Sequence, residues 1–502
     1  MDEPAITPTR KSSARRPIPV LEKVVRYFLS AELSKWGFFA VVLTGSLFLA
    51  YAIVRFGATP GVLLIALLIG LPIIFGIVFY PKFGILTLIV ASYFIMLPYK
   101  FDLTTFPLGT LMDFIQLLLI LGIFFQKRRP NITQLYRSPI SMMILVWIIY
   151  NLLQVLNPYA ASKMAWLYTV RSVALVMLLY FVYIYNIQTK EFIRTILKWW
   201  LALSFLAALY GMKQEFFGFA GFEKKYLDSN IHVSRLLFIR GHWRKFSFFN
   251  DPVVFAYNMV STCLLCVGLM TGPVSRAKKL ILATIFTICF FGMMYTGTRG
   301  AFVLLPAAFV LILILRFNSR MMAAAVVAAL VFVFLIYVPT SNYTILRFQT
   351  AFRPSDDASF NLRKANQKKI QPYILSHPIG GGLGATGVWG SRFAPNSFLA
   401  SFPPDSGYVR VAVELGWIGL FLFCLLVFVI LRTGVIHYFA IRDPELKAYC
   451  LSMILIVFAL QLGNYPQEAL VQYPTSVLFY LVIALIVITK KLDEAKPEDV
   501  KR

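Results

Sequence analysis

The sequence is divided into long apolar segments by short polar connections, and this pattern limits the fold more than any other feature. About fourteen such segments lie between Trp36 and Lys490. In a bilayer only helices and closed barrels satisfy all their backbone polar groups, and continuous apolar runs are typical of helices. We therefore predict an all-α, polytopic integral membrane protein. The predicted spans are 36–54, 61–79, 83–98, 109–125, 139–156, 168–187, 192–216, 252–270, 280–296, 300–316, 321–338, 408–431, 446–463 and 475–490.

Composition also indicates lipid surroundings. Hydrophobic residues make up 59% of the chain, whereas soluble domains contain about 45–50% apolar residues. The net charge of +26 would suggest a nucleic acid partner in a soluble protein. Basic cytoplasmic loops explain most of this charge in a membrane protein, so no nucleic acid partner is expected. Residues 1–35 read as a basic cytoplasmic tail that lies against anionic headgroups, with no cleavable signal peptide.

Positive charges predict the orientation of the spans. If the N-terminus is cytoplasmic, each inward connection carries lysine or arginine, as inside loops do. Residues 36–490 then form one multispanning domain, residues 491–502 form a cytoplasmic tail, and both termini are cytoplasmic. The basic residues of the inward connections are Lys127, Arg128, Arg129, Arg276, Lys278, Lys279, Arg316, Arg320, Arg432, Arg442, Lys490 and Lys491.

Two outward connections are long and basic, although membrane insertion does not require basic residues on that face. Because fixed cations there have no topological purpose, we predict that they bind an anionic ligand. In the second connection, Ser359 to Ser376 is predicted to form an amphipathic surface helix capped by Ser359 or Asp357 and bent at Pro372. The connection over 218–251 holds Lys224, Lys225, Arg235, Arg240, Arg244 and Lys245, and that over 339–406 holds Arg347, Arg353, Arg363, Lys364, Lys368, Lys369 and Arg392.

Arg299 lies in the turn Thr296-Gly297-Thr298-Arg299-Gly300, which joins two spans at the outward face. Its glycines allow close backbone approach and free nearby amide groups. An arginine held there can bind two phosphate oxygens through its guanidinium fork. The alternative is a snorkelling arginine that only anchors the turn in the membrane.

A second basic stretch, Arg240-Gly241-His242-Trp243-Arg244-Lys245, precedes the start of a span. Asn250 or Asp251 can cap the helix that follows, and Pro252 suits its first turn. Helix capping does not account for the three cations.

The second long connection contains a glycine-rich turn and ends in an acid. The turn runs from His377 to Gly384, and because no Gly-Lys-Ser/Thr follows, a nucleotide P-loop is not expected. Asp405 precedes the next span, beside the basic connection. A carboxylate at that place can accept a proton from a hydroxyl, or it can cap the span; the sequence leaves both roles open.

Four motifs in this order resemble the O-antigen ligase and polysaccharide polymerase superfamily of bacterial membrane glycosyltransferases. They are Phe-Phe-Asn-Asp-Pro at 248–252, Thr-Gly-Thr-Arg-Gly at 296–300, the His-Pro-Ile-Gly-Gly-Gly-Leu-Gly turn at 377–384, and Asp-Ser-Gly-Tyr at 405–408 with Glu-Leu-Gly-Trp-Ile-Gly-Leu at 414–420. The resemblance covers about residues 240–432 in detail. The N-terminal half is similar only in its helical character.

The resemblance implies transfer of a glycan from a polyprenyl diphosphate carrier to an acceptor hydroxyl at the outer leaflet of the bacterial inner membrane. It implies no metal and no cofactor, so arginines must stabilise the leaving diphosphate. Cys263 and Cys266 form a CxxC pair without a second pair or a histidine cluster, which favours packing over zinc binding.

The resemblance also assigns roles to single residues. Arg299 matches the arginine of the family's short Ser/Thr-Arg-Gly turn and is the best diphosphate ligand. Arg244 corresponds to the arginine of the preceding outer loop, with Arg240 as a competitor and Lys245 beside it. His377 matches the histidine that opens the glycine-rich turn and is a further candidate ligand of the diphosphate, although a structural role is at least as compatible with the motif.

One departure from the family concerns the step that removes the proton. Ligases of this kind carry His-Asn before the last conserved span, and this chain has Asp405-Ser406 there. An aspartate is a weaker base than a histidine. The departure favours a polymerase of lipid-linked repeat units for surface polysaccharide or exopolysaccharide over a ligase. A flippase or transporter is the remaining alternative. Expected partners are the lipid-linked glycan, membrane lipid and other polysaccharide assembly proteins.

Overall fold

A computed structural model describes residues 35–57, 59–103, 107–126, 138–229, 231–239, 241–317, 319–352, 358–403 and 405–495. The predicted N-terminal tail up to residue 34, the Lys127–Arg129 connection and the tail from residue 496 lie outside these ranges. Two elements other than α-helices are a 3₁₀ turn at Gln154–Leu156 and a hairpin of β1 (Phe238–Ile239) and β2 (His242–Trp243). The α-helices are α1 (Lys35–Phe56), α2 (Thr59–Phe79), α3 (Pro81–Phe94), α4 (Leu97–Lys100), α5 (Leu108–Phe125), α6 (Pro139–Leu153), α7 (Lys163–Asn186), α8 (Lys190–Phe216), α9 (Gly221–Ser229), α10 (Ile231–Leu237), α11 (Pro252–Met270), α12 (Arg276–Tyr295), α13 (Arg299–Leu315), α14 (Ser319–Tyr337), α15 (Tyr343–Ala351), α16 (Ala358–Ser376), α17 (Gly387–Phe393), α18 (Gly407–Ala440), α19 (Pro444–Gly463) and α20 (Thr475–Glu494).

The chain is a helical, polytopic membrane protein, as the sequence predicts. Every predicted span overlaps at least one of these helices; the span 83–98 covers both α3 and α4, and the span 139–156 covers α6 and the 3₁₀ turn. Among the described residues, ten helices are long and apolar enough to cross a membrane, and three apolar helices are shorter, at Leu43–Phe56, Leu67–Phe79 and Arg299–Leu315. The structure therefore supports about ten crossing helices and three shorter ones, where the sequence predicts fourteen spans.

The described part of the chain divides into two compact units, with the division between Ile73 and Ile74. In the first unit, α1 exposes large apolar side chains such as Leu47, Phe48 and Val54. Apolar exposure on this scale indicates contact with lipid or with another apolar surface.

In the second unit the most buried helices are α11, α19 and α20. Close approach of α11 to α19 depends on small residues, because a Cβ at Gly268 would lie 2.1 Å from the Ser452 hydroxyl. Cys263 and Cys266 are free and buried in α11, where they pack as small apolar side chains.

Polar contacts in the second unit show which connections share an end of the helical bundle. At one end, Arg194 pairs with Glu445 at 2.7 Å, and the backbone N–H of Arg442 donates to Asp493. These contacts join the α7–α8, α18–α19 and C-terminal connections, all of which the charge pattern predicts to be inward.

The predicted outward connections meet at the opposite end, which we call the outer end. Asn157 Nδ2 donates to the Ile379 carbonyl at 3.0 Å, and Lys245 N donates to the Tyr295 carbonyl at 3.2 Å. The N–H of Gly407 also donates to the Asn464 carbonyl at 2.9 Å. Both long connections therefore lie at one end, together with the shorter turns after α12 and α19.

The long connections are structured in their described parts, because they contain α9, α10, the hairpin, α15, α16 and α17. The predicted surface helix is present as α16, although Ser359 lies inside it and Asp357 lies outside the described residues. Its buried side packs on α18, where Ile370 and Val413 share an apolar cluster. Part of the apolar surface of α16 therefore faces the protein, while Leu362 and Leu375 are exposed, and the predicted position at the membrane surface stays a prediction.

Candidate functional site

The turn between α12 and α13 is the centre of the candidate site. Gly297 has a φ of +59°, a left-handed conformation that favours glycine. Gly300 allows close packing, because a Cβ there would lie 3.2 Å from Pro466 and 3.3 Å from the Tyr257 hydroxyl. The two glycines thus let α13, which begins at Arg299, start close against the side chains of Pro466 and Tyr257.

Two arginines from distant segments hold this turn. Arg244 donates from Nε to the Thr296 carbonyl and from Nη2 to the Thr298 hydroxyl, both at 2.9 Å. Arg347 of α15 donates from Nε to the Gly297 carbonyl at 3.0 Å. The structure therefore brings Arg244 and Arg299 together as predicted, and it adds Arg347, which the sequence shows only as one of many loop cations.

The electrostatics of Arg244 show that positive charge accumulates at the turn. Burial lowers the pKa of Arg244, the charge of Asp251 raises it, and the charge of Arg299 lowers it further. An arginine nevertheless remains protonated in proteins. Asp251 also caps α11 by accepting from Val253 N and Val254 N, so the predicted cap is confirmed.

A further cation comes from α16. Arg363 lies close enough to the Tyr257 hydroxyl for an electrostatic interaction. This hydroxyl donates to the Gly463 carbonyl at 3.0 Å and lies beside Gly300. Four segments of the chain therefore contribute an arginine to one neighbourhood at the outer end.

A group of carboxylates lies at the start of α18. Ser406 caps this helix by accepting from Val409 N, and Asp405 is an exposed residue just before the cap. The capping role that the sequence leaves open for Asp405 therefore belongs to Ser406. In α18, Arg410 pairs with Glu414 at 3.2 Å and with Glu468 at 2.9 Å.

Glu468 is a candidate that the sequence analysis misses. Burial raises the pKa of Glu468, the charges of Glu414 and Asp405 add to the increase, and Arg410 opposes it. Its Oε2 accepts from Arg410, whereas its buried Oε1 accepts no hydrogen bond within the described part of the chain. A single acid in the short 464–474 connection carries no recognisable signal in the sequence.

The connection 464–474 links the arginines to the carboxylates. Its Pro466 packs beside Gly300 of the turn, and its Glu468 pairs with Arg410 within electrostatic range of Asp405. The connection 464–474 therefore has two kinds of neighbour. One is the group of arginines, which can bind a phosphate, and the other is the group of carboxylates, which can accept a proton.

The glycine-rich turn binds a carboxylate of the chain itself. Gly384 N donates to Glu414 Oε2 at 3.0 Å, and Thr386 donates to Glu414 Oε1 from both its N–H and its hydroxyl. The turn also fills an interruption of α18 at Gly416, where Gly381 N donates to the Val413 carbonyl and Ile418 N donates to the Pro378 carbonyl. These contacts give the turn a structural role.

The remaining predicted site residues lie in other contact sets. Lys245 pairs with Glu215 at 3.3 Å and lies over the Phe219 ring, so a diphosphate would compete with Glu215 for it. His377 stacks on Tyr373 with ring centroids 4.0 Å apart, and its Nδ1 lies 3.0 Å from the Tyr373 carbonyl. Arg240 lies outside the described residues.

Comparison with known proteins identifies the region that carries this site. Residues 284–424 match the family Wzy_C, described as O-Antigen ligase. The matched region runs from α12 into α18 and contains Arg299, His377 and Asp405; Arg244 precedes it and Glu468 follows it. No curated protein matches the chain. Among the described residues, no group of three or more His, Cys, Asp or Glu side chains is arranged to hold a metal ion.

Proposed function

We propose that this chain, which carries the O-antigen ligase domain of a membrane polysaccharide polymerase/ligase family, polymerises polyprenyl diphosphate-linked oligosaccharide units at the outer leaflet of a bacterial inner membrane. The observation that carries the proposal is the meeting of Arg244, Arg299 and Arg347 at one turn. Guanidinium groups carry several N–H donors and a fixed positive charge. Because Arg244 uses Nε and Nη2 to hold the turn, it would bind a phosphate oxygen through Nη1 and through its charge. A diphosphate at this turn is stabilised as negative charge develops on it during transfer.

The reaction has one bond-forming and one bond-breaking event at the anomeric carbon. The acceptor oxygen bonds to that carbon while the bond from carbon to phosphate oxygen breaks, and its electron pair leaves on the carrier diphosphate. The acceptor proton passes to Glu468, whose side chain is 21% exposed and whose pKa is raised by burial. Asp405 increases the proton affinity of Glu468 through its negative charge.

The polymerase assignment rests on Asp405-Ser406, which departs from the His-Asn that the resemblance to the family's ligases implies at this place. A transporter is less compatible with the buried charges of the spans, because these are paired within the protein. Asp113 pairs with Arg171 at 3.1 Å, and Glu414 is bound by Arg410 and the glycine-rich turn. Transporters instead place ionisable groups around a substrate near the midplane.

Purified protein supplied with a polyprenyl diphosphate-linked repeat unit distinguishes the candidate functions. Polymerisation yields a ladder of longer glycans on the carrier lipid. Transfer only to a separate acceptor indicates a ligase. Movement of intact lipid across a liposome without a new glycosidic bond indicates a flippase and contradicts transferase activity.

Arg299→Ala should lower transfer by at least about 10²–10³-fold, as the loss of one preorganised charge-stabilising group does. Membrane expression should be preserved, because the side chain lies at the surface end of α13. Arg392→Ala is the matched control, since Arg392 is an exposed outer-end arginine that lies over the Phe393 ring. Turnover of Arg299→Ala close to that of the control would remove Arg299 from the mechanism.

A further inference from the structure

A cavity of about 180 Å³ lies beside the arginine-bound turn. It is lined by His242 of the β-hairpin and by residues of the segment that leads into and forms α15, namely Ser341, Tyr343, Leu346, Arg347 and Thr350. At about 30 Å³ per water molecule, the cavity has the volume of roughly six waters. It therefore has room for a group of the size of a single sugar ring and is too small for a whole repeat unit.

The cavity and the turn share two side chains. Arg347 lines the cavity and donates to the Gly297 carbonyl. The Tyr343 side chain also lines it, and its buried hydroxyl lies 3.7 Å from the position that a Cβ on Gly297 would occupy, as does Arg244 Cγ. A group bound in this cavity is therefore next to any diphosphate held by Arg244 and Arg299.

The lining is suited to hydroxyl-rich ligands. Serine, threonine, tyrosine, histidine and arginine side chains supply polar groups, and Leu346 is the one aliphatic member of the lining. The buried Tyr343 hydroxyl makes no hydrogen bond to the described residues, and an unsatisfied buried hydroxyl is costly. When the Tyr343 side chain turns its hydroxyl into the cavity, a sugar hydroxyl or acetamido oxygen can accept that hydrogen bond, whereas a prenyl chain cannot.

We infer that this cavity holds the sugar that is attached directly to the carrier diphosphate. The inference rests on the proposed function and extends it: the turn binds the diphosphate, and the cavity recognises the first sugar of the donor. His242 and Tyr343 stack with ring centroids 4.3 Å apart and form one wall. A hydrogen bond from the Tyr343 hydroxyl would favour glycan donors whose first sugar has an oxygen within hydrogen-bonding distance of it.

Equilibrium binding to purified protein in detergent tests the inference with two probes. One is a polyprenyl diphosphate that carries a single sugar, and the other is the same polyprenyl diphosphate without sugar. Tyr343→Phe should weaken binding of the glycosylated lipid by about 2–10-fold, the loss of one hydrogen bond. It should leave binding of the sugar-free lipid unchanged. Tyr80→Phe, at an exposed tyrosine near the inward end, is the matched control.

A cavity-filling variant gives a second measurement. Ser341→Phe should lower the affinity for the glycosylated lipid by at least tenfold and reduce it to that of the sugar-free lipid. Equal loss for both lipids in either variant would assign the cavity to the diphosphate and overturn the inference. If Ser341→Phe binds both lipids with unchanged affinity, the inference is also overturned. The same holds if Tyr343→Phe changes only the KM of the acceptor.

The outcomes separate this inference from the proposed function. Wild-type protein that binds the glycosylated lipid more tightly than the sugar-free lipid, through Tyr343, but forms no glycosidic bond would support the sugar site and contradict the transferase. Suppose instead that the wild-type protein transfers glycan, and that Tyr343→Phe and Ser341→Phe bind the glycosylated lipid as tightly as the wild type does. This result would support the transferase and contradict the sugar site.

Discussion

Replacement of Glu414 by glutamine tests whether a carboxylate holds the glycine-rich turn in place. Glu414 is 2% exposed and accepts hydrogen bonds from Gly384, Thr386 and Arg410. Glutamine has the same shape, but it removes the charge and converts one acceptor oxygen into a donor. The perturbation is therefore confined to electrostatics and hydrogen bonding.

The contacts set the expected magnitude. The amide oxygen can face Thr386 and Arg410, which places the amide N–H₂ against the N–H of Gly384. One unsatisfied buried donor costs about 1–3 kcal/mol. Removing one partner of a buried ion pair costs about 3–5 kcal/mol. The second cost is reduced here, because Arg410 is 21% exposed in its side chain and keeps its pair with Glu468. We expect the folded state to lose ~2–4 kcal/mol.

Reaction of buried thiols with a maleimide fluorophore at fixed temperature measures this loss in detergent. Cys263 and Cys289 are buried and become reactive on unfolding, and Cys424→Ser removes the exposed thiol. Because unfolding in detergent is often irreversible, the half-life is the appropriate quantity. If the whole loss acts on the unfolding barrier, the half-life shortens by about 30- to 700-fold.

Glu445→Gln is the control at the inward end. Glu445 pairs with Arg194, whose side chain is 46% exposed, and such pairs contribute ~0–1 kcal/mol. Its half-life should therefore shorten by less than about tenfold. If Glu414→Gln unfolds no faster than Glu445→Gln, the carboxylate does not hold the turn and the structural role assigned to the turn is wrong.

Three further predictions concern the chemistry. Glu468→Gln should lower turnover by about 10²–10⁴-fold with donor affinity unchanged, as expected for loss of a general base, and a parallel loss of affinity would indicate a structural role instead. The pKa of Glu468 is raised in the folded protein, so wild-type turnover should fall as the pH falls through that pKa, because the protonated carboxyl cannot accept a proton. The residual activity of Glu468→Gln should lack this fall at low pH. If it shows the same fall as the wild type, the assignment of Glu468 as the base is contradicted. Chelation with EDTA should leave transfer unchanged if arginines alone stabilise the diphosphate, and activity that is lost and then restored by a divalent cation would contradict that view.

The sequence predicts the helices well because their signal is local. Apolar segments of sufficient length can only be helical in lipid, so every predicted span has a helix in the structure. The caps are local as well, and Asp251 with Pro252 begins α11 as predicted. The burial of α16 against α18 could not be predicted, because an apolar stripe fits a protein surface and a membrane surface equally well.

Contacts between distant segments account for the rest of what the sequence leaves undetermined. Glu414 lies 30 residues from Gly384, and the separation hides that its carboxylate occupies the glycine-rich turn. Arg347 and Glu468 are ordinary members of outer connections until the fold places them beside Gly297 and Arg410. The sequence shows which residue types could bind phosphate or transfer a proton. Which of the many arginines and carboxylates lie at the site depends on how the helices and connections pack.

The convergence of arginines also bears on whether Arg299 merely anchors its turn. A snorkelling arginine needs only lipid headgroups and no second cation from elsewhere in the chain. Here Arg244 and Arg347 both bond to the turn that precedes Arg299, and the charge of Arg299 acts unfavourably on Arg244. Two like charges several ångströms apart repel by on the order of 2–3 kcal/mol at an effective dielectric constant of 20. Asp251 offsets part of this repulsion while its Oδ1 already caps α11. A bound diphosphate would turn the remaining repulsion into attraction, and for this reason we interpret the turn as a ligand site.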